Sequence, residues 1–358
     1  MARKSCYENV NGRALRPAIE LTSDLTPERT GGKMIIMKKA MTWAAIGLAL
    51  LVIPMTASAE DTLLRLQFNK GDVMTYKFVD KQSSEQMGMK MSQNRTEYHT
   101  YKVVGVEGDS AMIEVTITRI VMDADIPMMG KVNFDSDVKK AQAEGEEAAA
   151  PAEPGQFDFY HALVNKPFQI KLSTRGKVEQ VIGFNEIGEA MIQVIMESAG
   201  DNPQAKMQAE MMKNMFSDEA MVKLFEQVFT AFPESSVAAG AEWKEKSVMT
   251  IPMMGDIVSE LINKFEGVED GHAKVSFTGT LELKPKEAGE DDANDPMAAM
   301  MKMLKLTDSK IEGQLEFDNE TGVVKKRSAK TSYNMSMMGQ KFPNVNEQSV
   351  ELIEHKRG

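Results

Sequence analysis

Residues 105–118 read GVEGDSAMIEVTIT, and residues 267–280 read GVEDGHAKVSFTGT. Six of the fourteen aligned positions are identical: Gly105/Gly267, Val106/Val268, Glu107/Glu269, Ala111/Ala273, Thr116/Thr278 and Thr118/Thr280. Each copy is a Gly/Asp turn followed by a run of alternating, β-branched character, which is how one antiparallel strand hands over to the next. The likeness extends upstream. Tyr76, Gly88 and Tyr98 have counterparts in Trp243, Gly255 and Phe265, with each glycine placed as the turn of a long-armed hairpin. A stretch that recurs with its turns and aromatics predicts a duplicated β unit.

Downstream of each copy the pattern repeats again. Residues 168–172 alternate into a Ser173-Thr174-Arg175-Gly176 turn, and residues 314–317 run into the turn at 318–322. Residues 63–68 (LLRLQF) read as a first strand, Lys70-Gly71-Asp72 as a turn, and residues 323–338 with 342–353 as a closing hairpin. Between the copies the composition changes. Residues 185–232 are rich in Ala, Met, Glu and Lys, with apolar residues at helical spacing. Ser217-Asp218-Glu219 supplies an N-cap and early negative charge. Met221, Leu224, Phe225, Val228 and Phe229 form a stripe ending near Phe232-Pro233. A short Met-rich helix is expected over residues 296–305. The fold class expected is α+β, mainly antiparallel β: a duplicated curved sheet unit with a helical segment covering it.

The expected organisation is a non-native or disordered leader (1–33), a signal peptide (34–59), a first β unit (60–138), an acidic flexible linker (139–156), and a hairpin completing the first unit (157–184). The helical segment (185–232) and a second β unit (233–358) with an acidic insert (285–295) come next. The signal peptide rests on Lys38 and Lys39, an apolar core from residue 44 to 53, and Ala57-Ser58-Ala59 as a small-x-small cleavage site. It places the chain in the periplasm or outside the cell, cleaved after Ala59, with no transmembrane span remaining. The true start is expected at Met34 or Met37. The linker, rich in Ala, Glu and Pro, has too little bulky apolar surface to order itself.

Composition narrows the chemistry. The 358 residues carry 42 basic and 53 acidic side chains, a net charge of -11. The first 59 residues hold an excess of basic ones, so the exported part is more acidic still. That balance argues against electrostatic binding to nucleic acid or anionic lipid surfaces. The single cysteine, Cys6, lies in the leader, which removes disulfides, zinc thiolates and cysteine nucleophiles from the exported part. No G-x-S-x-G, H-E-x-x-H, P-loop or G-x-G-x-x-G is present. Ser136 and Lys139 have the spacing of a Ser/Lys pair, which the number of Ser and Lys explains by chance. His99 reads as a strand-surface residue and His272 as a turn residue. Residues 287–296 lack the ligand order of a calcium loop. No cofactor is implied, and the chain is not expected to be an enzyme.

Methionine is the unusual component, with 30 in the chain. Met87, Met89 and Met91 alternate, as do Met335 and Met337, so each set shares one face of an extended strand. Two chemistries fit. Methionine makes adaptable apolar surface, and Met87, Met89 and Met91 together are a candidate Cu(I) site. The candidate ligand-binding set is Met87, Met89, Met91, Met335, Met337, Trp243, Phe225 and Phe229. The partner expected is a lipid or another apolar ligand.

Taken together, Lys70-Gly71-Asp72 with Tyr76, the strand-turn-Gly element at 168–178, the helices, Gly240 with Trp243, and the Thr321-Gly322 hairpin resemble a family of secreted bacterial proteins known only as a domain of unknown function. The resemblance covers most of residues 62–354. More loosely, long antiparallel strands with covering helices resemble the half-barrel of Lol-type lipoprotein carriers, which implies an apolar cavity able to shield a lipid chain.

Overall fold

Asp270 and Gly271 both adopt positive φ, 52° and 80°, in the turn of the second copy, and Gly108 does so at 57° in the first. These left-handed positions reverse the chain between long strands. The computed structural model describes residues 61–86, 88–127, 130–138, 158–199, 213, 216–251, 254–285, 303–337 and 339–358. Chain contacts divide the protein into Met1–Thr56 and Ala57–Gly358, and all described residues belong to the second unit. The leader with Cys6, the signal peptide, the acidic linker, Lys139, Met87, and nearly all of the acidic insert and the calcium-loop candidate lie outside the described residues.

Twelve strands form one sheet: β1 Val73–Gln86, β2 Met89–Glu107, β3 Ser110–Ile126, β4 Gly130–Asp135, β5 Pro167–Ser173, β6 Val178–Ile182, β7 Glu242–Ile251, β8 Gly255–Glu269, β9 His272–Pro285, β10 Lys305–Asp318, β11 Val323–Met337 and β12 Gln340–Lys356. Their order is β6-β5-β3-β2-β1-β12-β11-β10-β9-β8-β7, and β4 pairs the far half of β3. Neighbours run antiparallel throughout. The fold class is as expected from the sequence, and the two copies share one continuous sheet.

The copies match down to their irregularities. The β2–β3 ladder skips Val104, and the β8–β9 ladder skips Glu266 at the aligned place. Ala111 faces Leu172 on β5, and Ala273 faces Phe317 on β10. Next to these partners the β5–β6 ladder skips Glu179 and the β10–β11 ladder skips Lys325. A bulge adds one residue to one strand and bends it, so two bulges at matched places give both copies the same curvature. The β2–β3 ladder has a further skip at Thr118 that the β8–β9 ladder lacks. It shifts the inward set on β3 from Ala111, Ile113, Val115 and Ile117 to Ile120, Met122 and Ala124, all buried.

The two copies continue differently. After β11 the chain makes β12, which lies between β11 and β1. After β6 it makes helices α2 (Phe184–Ala199) and α3 (Asp218–Val228), and α3 rests against both β6 and β7, the two ends of the sheet. The two helix starts hold each other. Asp218 Oδ1 accepts from the backbone N–H of Phe184 and of Asn185, at 2.9 and 3.0 Å, and Asn185 Oδ1 accepts from the backbone N–H of Asp218 at 2.8 Å. Ser217 caps α3 by accepting from Ala220 N–H. Beyond α3 the chain crosses toward β7, fixed by Phe232 N–H to Arg175 O and by Trp243 Nε1–H to Ala231 O.

The core lies on one face of the sheet, here the inner face, beneath these helices. Phe168 packs on Phe184 and Phe225, and Phe232 on Phe317 at 5.1 Å between rings. Several sequence expectations need correcting. Residues 63–68 are extended but lie outside the ladders. An isolated bridge joins Thr62, just before them, to Val237, while Leu64 and Leu66 are buried in the core. Alternation without a neighbouring strand looks the same in sequence. α3 ends at Val228, four residues early, because Phe229 turns to extended backbone. Lys305 opens β10 and residues 303 and 304 are not helical, which corrects the expected helix at its end, while residues 296–302 lie outside the described set. A short helix α1, Asp158–Leu163, was not anticipated.

Candidate functional site

Inward residues of strands far apart in the order, from β5 to β10, reach common cavities with α3. Two lobes of about 390 and 410 Å³ lie on the inner face, within the range of small-molecule sites. The first lies between β1, β2 and the helices, and the second lies over β7 to β11. A smaller pocket of about 70 Å³ adjoins them at the end of α3. Arg327 on β11 borders all three, and Gln348 on β12 borders both lobes.

The floor of the first lobe carries a closed polar set. Arg95, Glu97 and His99 take successive inward positions on β2, beside Asp80 on β1. Glu97 receives Arg95 Nε at 3.1 Å and His99 Nε2 at 2.7 Å. Burial pushes the Glu97 carboxyl up, but the His99 hydrogen bond and the Arg95 charge prevail and hold it below the usual range. Asp80 accepts from Asn346 and Gln348. His99 is buried at 7% exposure with its ring 4.2 Å from Phe78, which corrects its reading as a strand-surface residue. Helices distant in sequence cover it, and no local pattern announces that cover. Its Nδ1 is buried without a hydrogen bond.

The second lobe is lined by apolar side chains such as Met249, Ile257, Leu281, Leu283 and Met335, interspersed with polar ones from each strand, among them Ser247, Ser259 and Thr331. Burial pushes the Glu245 carboxyl up, against a hydrogen bond from Asn263 at 3.4 Å and one from the Ala231 backbone N–H. Glu226 on α3 is paired with Lys223. Arg327 differs from every other charged side chain here. It stacks over the Phe277 ring at 5.0 Å, its Nε is buried without an acceptor, and no hydrogen bond or ion pair holds its guanidinium among the described residues. Burial lowers its proton affinity, with Glu245 acting against that from beyond ion-pair distance.

Of the residues singled out from sequence, Phe225 borders the first lobe, Phe229 the second lobe and the small pocket, and Met335 the second lobe. Met337 is half-buried near the β11–β12 turn. Trp243 is half-buried and packs on the core. Met89 and Met91 are exposed at the tip of the β1–β2 hairpin, at 46% and 41%. Met87 is outside the described residues. The polar groups on the inner face, Arg327 above all, were not foreseen. Among the described residues no cluster of His, Cys, Asp and Glu is arranged to hold a metal, and no helix is long and apolar enough to cross a membrane.

The profile of a family described as a family of unknown function (DUF6263) matches residues 108–324, more than half of the chain, and the protein belongs to that family. No curated protein matches it. Solved structures that overlap it include the translocator domain of autotransporter NalP from Neisseria meningitidis, at 6% identity over 80% of this chain and 89% of that one, with a TM-score of 0.25. A DUF1329 family protein from Desulfovibrio piger overlaps at 8% identity over 78% and 86%, with a TM-score of 0.15. A β-barrel-like DUF1849 protein from Brucella abortus does so at 8% over 82% and 100%, with a TM-score of 0.18. These scores lie far below those of a shared fold, so function rests on the site itself.

Proposed function

We propose that this member of the DUF6263 family is a non-catalytic envelope protein that binds an apolar ligand in the concavity of its sheet. The observation that carries this reading is the pair of lobes, about 390 and 410 Å³, lined mainly by apolar side chains and only partly roofed by α3. On the inner positions of β7 to β9, Met249, Ile251, Ile257, Leu261, Leu281 and Leu283 stay half-exposed, interleaved with Ser247, Ser259 and Gly279. Half-exposed apolar side chains facing one concavity suit a ligand-filled surface better than a finished core. Export rests on the sequence at 34–59. The charges of the set around Glu97 are paired with one another, Arg95 and His99 both on the Glu97 carboxylate.

Fluorescence of N-phenyl-1-naphthylamine added to the purified full-length chain tests this. Saturable enhancement at about one dye per chain is expected. Ala329→Trp, which puts a large ring into the second lobe from β11, should abolish most of it without unfolding the protein. A flat titration of the parent chain would refute the reading.

A further inference from the structure

We infer that the ligand of this concavity is an amphiphile with an anionic head group, and that Arg327 is the residue that holds the head where the two lobes meet. This deepens the apolar-ligand reading and rests on it. The charges on the inner face are matched almost throughout. Arg95 and His99 are taken by Glu97, Asp80 by Asn346 and Gln348, Glu226 by Lys223, and Glu245 by Asn263 and a backbone N–H. Arg327 alone has no partner for its guanidinium among the described residues. A half-buried cation whose opposite charge, Glu245, acts only from beyond ion-pair distance contributes little to folding or works against it. A neutral side chain of similar length fills the same space.

Its surroundings hold it ready for an anion. The guanidinium carbon sits over the Phe277 ring, 5.0 Å from its centre, a cation–π contact that favours this position. Gly313 on β10 makes room for that ring, because a Cβ there would overlap both Phe277 and the Ser328 carbonyl. A flat guanidinium presents paired N–H donors that match the two oxygens of a carboxylate or phosphate, and the apolar walls raise the strength of that contact relative to water. The lobes on either side offer apolar room for the rest of the molecule. Charge and shape therefore select one class of occupant: an acyl chain ending in a carboxylate or phosphate. A neutral or cationic amphiphile leaves Arg327 as it is.

Displacement of N-phenyl-1-naphthylamine from the full-length chain separates the possibilities. Palmitate and lysophosphatidic acid should compete about tenfold or more better than hexadecanol, and hexadecyltrimethylammonium should compete worst. Inorganic phosphate should not displace the dye. If it does, the site is a free-anion site and the inference fails. The preference of palmitate over lysophosphatidic acid, or the reverse, names the head group. Arg327→Gln should erase the advantage of the anions while leaving hexadecanol unchanged, and Arg327→Lys should keep part of it. The Gln variant should also melt no lower than the parent without ligand, which a structural arginine would not allow. Equal competition by all amphiphiles, or an anion preference that survives in Arg327→Gln, overturns the head-group assignment and leaves the apolar-ligand reading standing. Failure of every amphiphile to displace bound dye removes both.

Discussion

In the first copy of the repeat β3 is covered along its whole inner side, whereas the matching strand of the second copy, β9, is left half open. On β3 the inward residues stay buried from Ala111 to Ala124. On β9 they are buried from Ala273 to Phe277, and then Gly279, Leu281 and Leu283 are half-exposed. The turns and two of the bulges match, so the difference comes from the extra skip at Thr118 and from the chain that lies on top. α1, α2 and α3 cover the first copy. The second receives only the end of α3, with Phe229 at its margin. Similar strands therefore end up covered or half open according to the chain laid over them, and that chain is not part of the repeat.

Matched truncations should expose that contrast most strongly. Ile120→Ala, at 0% exposure beneath the cover, is expected to cost about 2–5 kcal/mol. Leu281→Ala, on the uncovered part of β9, is expected to cost less than about 1 kcal/mol, since half-exposed sites lose little transfer energy. Urea unfolding of both variants measures this, and equal losses would contradict the proposed asymmetry. Removing the cap at Ser217 loosens the cover itself. Ser217→Ala should cost about 1 kcal/mol and should increase dye uptake near Phe225.

The buried acids sharpen the comparison in a smaller way, because they shift in opposite directions. Glu97 is held below its ordinary value of 4.5, so its contribution is present above that pH and is lost as the pH falls through the lowered value. Glu245 is pushed above 4.5 by burial, so the folded protein holds its proton more tightly than the unfolded chain, and stability declines as the pH rises from 4.5 through the raised value. Glu97→Gln should flatten the acid limb of a melting-temperature profile, and Glu245→Gln should raise the neutral limb. Effects of the same sign in both variants would break the pairing.

The range of the forces involved decides how much of this was legible in the sequence. The turns at Gly108, Asp270-Gly271, Gly176 and Gly322 require positive φ and show as Gly or Asp at the right places. The Ser217 cap is likewise local. Arg327 was not legible. It stands in Lys325-Lys326-Arg327, three cations in a row, and the bulge at Lys325 decides which of them turns inward. Its isolation depends on Glu245, far back along the chain, being out of reach. His99 escaped for a similar reason, since helix and strand segments distant in sequence bury it. Residues 63–68 were misread because a plug and a strand share one alternation.

The order of the sheet is also that of an assembly. The two copies stand head to tail, the β1 end of the first meeting the β11 end of the second through β12. Subunits that join head to tail either close into a ring or go on adding members, and this pair does not close: β6 and β7 have no ladder between them. The open step is occupied by α3 and the chain up to Trp243. That segment is a terminator. It ends a series at two where a third strand set, from this molecule or another, would otherwise find exposed backbone to extend.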